Sequence, residues 1–92
     1  MNIVVKYLAQ ARPAAGRAEE TVALHESASI RDLLHRVADA HGVALRHLLL
    51  TSDGQPHPSL LLFMDDRQVQ HPAARKLCDA DEIILLPPMA GG

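Results

Sequence analysis

Two short stretches near the start of the chain alternate apolar and polar positions, the pattern of strands in a half-buried sheet. Residues 3–8 form the first predicted strand and residues 20–24 the second. Because the two strands follow each other along the chain, we expect them to pair as an antiparallel hairpin. Residues 12–16 between them contain proline and glycine and are predicted to be a loop. The alternation puts Ile3, Val5 and Tyr7 on one face of the first strand, and the second strand has Val22 and Leu24 facing inward.

The sequence predicts one main helix over residues 29–41, because apolar side chains recur there at spacings of three and four. Ser29 and Asp32 resemble a capping box at its start. Gly42 stands where a left-handed C-terminal cap belongs. Residues 43–50 stay open between a helical turn and a short strand. The stripe that faces the core consists of Ile30, Leu33, Leu34, Val37, Ala38 and His41.

The second half of the chain is predicted to hold three more strands. Residues 60–64 form one of them, and a tight turn at Asp65 and Asp66 leads into a short strand over residues 67–69. Residues 72–81 are mostly a connection that closes with an acidic turn. An antiparallel hairpin, a crossing helix and a final strand make a two-layer α+β domain.

The last predicted strand, residues 82–86, is apolar on both faces. A sheet covered by a single helix buries only one of its faces, so the other face of this strand stays partly exposed. That exposed side adjoins Leu8 if the first and last strands are neighbours. Since exposed apolar patches usually mark partner-binding surfaces, we predict one here. Its strand residues are Ile84 and Leu86, whereas the buried side carries Ile83 and Leu85.

Size and charge describe an ordinary globular chain without a nucleic-acid surface. The 92 residues suit one domain, with 48% hydrophobic and 22% charged residues. The formal net charge is −2 and the longest basic stretch is Arg75-Lys76, so the electrostatic footprint of a nucleic-acid-binding protein is missing. Tyr7 and Phe63 are too few aromatic residues for a base-stacking platform.

The sequence predicts a cytoplasmic protein with no membrane segment. The lone cysteine, Cys78, excludes an internal disulfide framework and fits a reducing compartment. The first residues lack the charged and then apolar organisation of a signal peptide. No apolar run approaches the roughly 18 residues that span a bilayer.

The six histidines do not form a metal motif, and we expect no metal site. His35 and His41 are six residues apart, as are His41 and His47, whereas a zinc-binding helix places its histidines four apart on one face. We assign the paired acids at 65–66 and 79–82 to turn chemistry. Cys78 is interpreted as a variable position in a turn and not as a thioester-forming nucleophile.

The chain ends in residues that suit a narrow channel. Gly91 and Gly92 have no Cβ and fit where other residues do not. Pro87 and Pro88 lack amide donors, which keeps the segment out of a helix or a central strand. Fully extended, residues 87–92 reach roughly 20 Å at about 3.3 Å per residue. We therefore predict a folded domain over residues 1–86 and a flexible tail over residues 87–92 that delivers its carboxylate into another protein's active site.

Four segments resemble the ThiS/MoaD family of prokaryotic sulfur carriers, which share the ubiquitin-like β-grasp fold. The ending Leu-Pro-Pro-Met-Ala-Gly-Gly is similar to that family's Pro-Pro-Val-Ala-Gly-Gly. The resemblance implies an α+β fold with a mixed sheet of four to five strands and one main helix packed on one face. Ala80 replaces a turn glycine of the family, which suggests that this turn does not need a positive φ. The four segments are residues 7–12, 64–69, 77–83 and 86–92.

The resemblance also implies a function for the tail. An E1-like enzyme, using ATP, converts the Gly92 carboxylate into an acyl adenylate, and sulfur then replaces AMP to leave a C-terminal thiocarboxylate. A sulfur-accepting synthase is the second partner. The chain itself binds no cofactor and is a protein cosubstrate, not an enzyme. Besides Gly92, the residues expected to contact partners are Gly91, Ala90, Met89, Pro88, Pro87, Leu86, Ile84 and Leu8.

Several destinations for the sulfur stay open. The tail favours the small subunit of molybdopterin synthase. The length and a mid-chain insertion also suit carriers for cysteine or another thio-metabolite, and thiamin synthesis is a further possibility. Two other classes are a ubiquitin-like modifier that forms isopeptide bonds and an interaction module with an inert tail.

Overall fold

The computed structural model describes residues 1–88, and the predicted site residues Met89, Ala90, Gly91 and Gly92 lie outside the described residues. This part of the chain forms five strands and three α-helices. In chain order these elements are β1 (Asn2–Tyr7), α1 (Ala11–Ala15), β2 (Glu19–Ala23), α2 (Ile30–His41), α3 (Val43–Leu49), β3 (Leu61–Met64), β4 (Arg67–Gln68) and β5 (Glu82–Leu86). A short 3₁₀ turn, Pro72–Ala74, precedes β5.

The strands form one mixed sheet in the order β2-β1-β5-β3-β4. β1 and β2 pair antiparallel, which confirms the predicted hairpin. β5 lies in the middle, parallel to β1 and antiparallel to β3. The strand that comes last along the chain is therefore the central strand of the sheet. The α+β class and the mixed sheet expected from the sequence are confirmed.

One face of the sheet packs against the helices and forms the core. Alternate residues of β1, β3 and β5 point into it, as the strand period requires. The two longer helices, α2 and α3, contribute their apolar stripes from the other side. The largest fully buried side chains are Ile3, Val5, Tyr7, Ile30, Leu33, Leu34, Val37, Leu45, Leu49, Leu62, Ile83 and Leu85.

Helix α2 begins as the sequence predicts. The Asp32 N–H donates to Ser29 Oγ, and the Ser29 N–H donates to Asp32 Oδ2 at 2.9 Å, which completes the capping box. The end of the helix differs from the prediction. Gly42 has φ 101° and ψ −168°, which is outside the left-handed helical region, because the same residue also begins α3.

One segment is helical where the sequence predicted a loop, and in a second the helical alternative that the sequence left open is the one observed. Residues 12–16 were expected to be a loop, but α1 covers most of them. Pro13 is tolerated because it lies in the first helical turn, where backbone N–H groups have no intrahelical acceptor. Gly16 ends α1 with φ 76°. Residues 43–50 are also mostly helical, since Leu45 and Leu49 are one turn apart and both fully buried.

The turns carry one confirmed and one wrong prediction. Asp65 and Asp66 have φ 52° and 61°, as the type I′ turn of a two-residue hairpin requires. Ala80, however, has φ 70°, so this turn does use the left-handed region despite lacking glycine. The Ala80 N–H donates to the Asn2 carbonyl oxygen at 2.8 Å, a contact that holds the residue in this conformation.

The boundary between domain and tail stays a prediction. Pro87 continues the buried face of β5, while Pro88 is exposed. Within residues 1–88, no helix has the length and apolar content to cross a bilayer.

Candidate functional site

The chain leaves the sheet at the carboxyl end of its central strand, β5. β1 ends there, with the Leu8 N–H donating to the Leu85 carbonyl oxygen at 3.0 Å. β3 begins at the same end of the sheet, because Leu61 lies opposite Leu86 in the antiparallel pairing. β5 is therefore held between β1 and β3 up to its last residue, Leu86.

Apolar side chains surround this exit on the face of the sheet away from the helices. Leu61 is 38% exposed, and the other members are half-buried by their neighbours in the sheet. Cross-strand pairs join them, Leu61 with Leu86 and Phe63 with Ile84. We call this surface the exit patch, and its residues are Leu8, Leu61, Phe63, Ile84 and Leu86.

The same face becomes charged at the opposite end of β5. Lys6 Nζ lies 2.6 Å from Glu82 Oε1, and both side chains are substantially exposed. The hydrogen bond to Glu82 raises the pKa of Lys6 above its ordinary value. Exposed pairs of this kind contribute little to stability. Their effect here is to confine the apolar area to the end of the sheet from which the tail leaves.

The structure brings together the three surface residues that the sequence singled out. Leu8, Ile84 and Leu86 all belong to the exit patch. Sequence reasoning missed Leu61 and Phe63, which extend the patch onto β3. The alternation of side chains along β3 puts these two residues on one face of the strand. Placing that face beside Ile84 and Leu86 also requires the register between β3 and β5, which the sequence does not give.

A second cluster of polar side chains lies on the helix side of the sheet. Tyr7 Oη and His41 Nε2 each lie 2.5 Å from Glu20 Oε2, and Arg17 Nη1 lies 3.8 Å from Glu20 Oε1. Burial alone would raise the pKa of Glu20, but the hydrogen bonds from Tyr7 and His41 outweigh it and lower the pKa. Burial and the same carboxylate raise the pKa of Tyr7.

This cluster ties the hairpin to the end of α2. His41 was expected in the apolar stripe of that helix, and it is half-buried beside Tyr7 with the two rings edge to face at 6.1 Å. Among residues 1–88, no buried side-chain nitrogen or oxygen lacks a hydrogen-bond partner, so the arrangement is that of a satisfied structural network.

The remaining candidate chemistry matches turn geometry. Asp79 Oδ1 accepts from the Asn2 N–H at 2.7 Å, and Asp81 Oδ2 accepts from the Cys78 N–H at 2.8 Å. Cys78 is exposed. Among residues 1–88, no group of three or more histidine, cysteine or acidic side chains is arranged to hold a metal ion.

The ThiS family model matches residues 5–92 of the chain. The chain belongs to the ThiS family. A relative from Chlamydomonas reinhardtii, the molybdopterin synthase sulfur carrier subunit, is 32% identical over 92 residues and is aligned over 100% of both chains. The resemblance to ThiS/MoaD sulfur carriers stated from the sequence is thus confirmed at the level of the family.

Solved structures show the fold of this ThiS family chain. SAMP1 from Haloferax volcanii has a TM-score of 0.85 at 23% identity, over 100% of both chains. A ubiquitin-like protein from Caldiarchaeum subterraneum has a TM-score of 0.51 at 13% identity, over 99% of this chain and 100% of that one. The ubiquitin-like β-grasp fold is therefore confirmed.

Proposed function

We propose that this ThiS family chain is a sulfur carrier whose Gly92 carboxylate is loaded with sulfur and donated to a synthase of the molybdopterin type. The chain supplies no acid, base or metal to the reaction and acts as a protein cosubstrate. It binds no cofactor of its own, and ATP is consumed by the activating enzyme. We place the reaction in the cytoplasm, where a lone exposed thiol such as Cys78 stays reduced.

Loading requires activation because a carboxylate is a poor electrophile. In the proposed sequence, a Gly92 oxygen attacks the α-phosphorus of ATP on an E1-like enzyme, and pyrophosphate leaves. A sulfide donor then displaces AMP from the acyl adenylate and gives the thiocarboxylate directly. A persulfide donor gives an acyl disulfide instead, and a thiol of the donor protein then attacks the donor's own sulfur, forming a disulfide there and releasing the thiocarboxylate. Its sulfur carries negative charge at neutral pH and is a soft nucleophile, as a thiolate is. Docking on the synthase turns its attack into a local, oriented step.

The placement of β5 is the observation that carries the proposal. This strand is hydrogen-bonded to a neighbour on each side and ends beside the exit patch. Pro87 is buried next to that end and Pro88 is exposed. The segment beyond thus starts from a rigid base, which limits the entropy lost when a partner takes up the tail.

The exit patch is the proposed docking surface for both partners. Its apolar side chains adjoin the start of the tail, so a partner that covers the patch also receives the tail. The 32% identity to a molybdopterin synthase sulfur carrier subunit favours a synthase of that kind as the acceptor. Leu86, Ile84 and Leu8 are the proposed contacts on the patch, and residues 87–91 line the path into the partner's site.

Co-expression of the full chain with an E1-like activating enzyme tests the proposal by intact-mass spectrometry. We expect replacement of one oxygen by sulfur at Gly92. The matched control is the same chain with one alanine appended after Gly92, which we expect to remain unmodified because the reactive carboxylate is displaced.

Two outcomes would contradict the proposal. Covalent adducts between Gly92 and lysines of other proteins, without a thiocarboxylate, would indicate a modifier of the ubiquitin kind. An unchanged mass in the presence of an activating enzyme that loads another sulfur carrier under the same conditions would indicate an interaction module with an inert tail.

A further inference from the structure

The sheet has two edge strands in the part of the chain that the structure describes, and they differ in length. β4 has two residues and offers few backbone groups, whereas β2 has five. β2 pairs with β1 without a bulge over its whole length, and it contains no proline. Short length, bulges and proline are among the features that stop natural edge strands from pairing with other chains. β2 has none of the three and can accept a further strand.

The backbone of β2 presents hydrogen-bonding groups at this edge. The Tyr7 N–H donates to the Ala18 carbonyl oxygen at 2.8 Å. In an antiparallel pair every second residue bonds to the neighbouring strand, so Glu20 and Val22 also face β1. The N–H and C=O groups of the residues that alternate with them point away from β1, toward the open edge. These residues are Glu19, Thr21 and Ala23.

A groove of about 220 Å³ lies between β2 and α2, on the helix side of this edge. Val22 from the strand and Val37 from the helix are buried and form its apolar floor. Arg36 and Ala40 are exposed and form its helix wall, because residues three and four apart share one face of a helix. Alternate side chains of a strand added to β2 point into this groove.

The charges along the groove are unequal. Glu20 lies at one end, and its Oε2 accepts from Tyr7 and His41 at 2.5 Å each. Arg17 Nη1 lies 3.8 Å from the other oxygen of the same carboxylate. Arg36, in contrast, forms no ion pair within residues 1–88. The groove therefore offers one uncompensated positive charge, which favours an acidic group in the segment that occupies it.

The direction of α2 fixes where this charge lies along the edge. His41 contacts Glu20, and Arg36 precedes it by five residues, which is about 7.5 Å at about 1.5 Å per helical residue. About two strand residues cover the same distance, so Arg36 is level with Val22. Helical side chains lean toward the start of their helix, which carries the guanidinium toward the Ala23 end of the groove.

We propose that β2 and this groove bind an extended segment of a partner protein, which joins the sheet antiparallel to β2 and carries an acidic residue two positions before an aliphatic one. Antiparallel pairing is the more stable arrangement per residue. The aliphatic side chain lies opposite Val22 over the groove floor, and the acidic side chain reaches Arg36. Backbone hydrogen bonds to Thr21 and Ala23 supply the affinity, and the two side chains supply the specificity. Because β1 separates β2 from β5, the bound segment leaves the exit patch uncovered.

NMR titration of the ¹⁵N-labelled full chain with a synthetic peptide tests the proposal. The probe is acetyl-Thr-Thr-Glu-Thr-Val-Thr-Thr-amide, and the control peptide has glutamine in place of glutamate. We expect saturable amide shifts at Thr21, Val22 and Ala40, with a Kd about two- to fivefold higher for the control peptide because it lacks the ion pair. No shifts at millimolar peptide, or shifts centred on Ile84 and Leu86, would overturn the proposal.

Hydrogen exchange of the same amides identifies the pairing. We expect the Thr21 and Ala23 amides to exchange rapidly in the free chain and to be protected by the peptide. The Val22 amide should be protected in both states, because it already bonds to β1. Protection of Thr21 that needs no peptide and grows with chain concentration would show that a second copy of the chain occupies the edge, and it would overturn the assignment.

A backbone variant removes one of the proposed hydrogen bonds. Thr21→Pro deletes an N–H that faces the open edge, a position at which edge strands tolerate proline. Thr21→Ala keeps the N–H and is the matched control. We expect the peptide to bind about five- to tenfold more weakly to Thr21→Pro and with unchanged affinity to Thr21→Ala. Equal affinities for the two variants would contradict pairing along β2.

A charge variant tests the side-chain contact without altering the backbone, so it decides the matter even if Thr21→Pro does not fold. Arg36→Gln should bind the two peptides equally, whereas the unmodified chain prefers the glutamate peptide. Arg67→Gln, an exposed position on the opposite edge strand β4, is the control and should keep that preference. A glutamate preference that persists in Arg36→Gln would overturn the assigned contact. None of these measurements involves loading of Gly92, so their outcome is independent of the proposed function.

Discussion

The two faces of the central strand use the same apolar residue types for different purposes. Ile83 and Leu85 are completely buried against the helices, whereas Ile84 and Leu86 lie between them in sequence and stay half-exposed on the opposite face. Composition cannot distinguish the two pairs. Only the sheet's position under a single helical layer makes one pair part of the core and the other part of the exit patch.

The largest expected effect comes from breaking the buried face. Leu85→Ala removes a fully buried side chain and should lower the free energy of unfolding by about 2–5 kcal/mol. Urea denaturation followed by circular dichroism measures it. Ile84→Ala is the control on the opposite face and should lower it by less than about 1 kcal/mol. Equal losses would mean that the two faces do not differ as the structure indicates.

The next effect concerns binding through the exposed face. Leu86→Glu should leave the fold intact and weaken binding to an activating enzyme about tenfold or more, since it introduces a charge into an apolar contact. Thr21→Glu is the control, because Thr21 lies exposed on the edge strand β2, away from the exit patch. Isothermal titration calorimetry with the purified partner gives both affinities, and a wild-type affinity for Leu86→Glu would remove the exit patch from the interface.

The turn before β5 offers a smaller, stabilising change. Ala80 has φ 70°, a conformation that costs a residue with a Cβ roughly 1–2 kcal/mol, so Ala80→Gly should stabilise the chain by up to about 1 kcal/mol. Ala18→Gly is the control at an exposed position outside the positive-φ set, and a loss of stability is expected there. Thermal unfolding compares them, and a destabilised Ala80→Gly variant would contradict the turn geometry.

The smallest expected effect is on the pH dependence of stability, and it distinguishes the half-buried carboxylate of Glu20 from the exposed one of Glu82. The pKa of Glu20 is lower in the folded chain than its ordinary value of 4.5, so its stabilising contribution is present above that pH and is lost as the pH falls through the folded pKa. As the pH falls below about 4.5, the free energy of unfolding should therefore decrease less in Glu20→Gln than in the unmodified chain.

Glu82→Gln provides the comparison for this titration, because its pair with Lys6 is exposed. Carboxylates titrate between about pH 3 and pH 5. Over this range we expect the free energy of unfolding of Glu82→Gln to depend on pH as that of the unmodified chain does. Urea midpoints measured across this range decide the matter. A profile for Glu20→Gln that matches the unmodified chain would show that Glu20 is not tied to Tyr7 and His41 in solution.

The features predicted correctly from the sequence depend on residues that lie close together along the chain. The capping box at Ser29 and Asp32 and the apolar stripe of α2 follow from spacing along one helix. The two-residue turn at Asp65 and Asp66 follows from turn chemistry. Each of these features involves neighbours a few residues apart, so it can be predicted without knowledge of the tertiary contacts.

The wrong predictions share a dependence on distant contacts. Helix α1 is too short to show a period, and it forms because Ala11 and Ala15 pack into the core. The positive φ of Ala80 is held by a hydrogen bond to Asn2, at the other end of the chain. Likewise, Leu61 and Phe63 join the exit patch through the register of β3 on β5.

The position of β5 has a consequence for when the carrier becomes active. It follows the other four described strands along the chain, yet it separates β1 from β3 and fills the middle of the sheet. A nascent chain that has not yet released this strand from the ribosome lacks both its core and its exit patch. If an activating enzyme docks on the exit patch as proposed, it selects molecules whose synthesis and folding have reached β5.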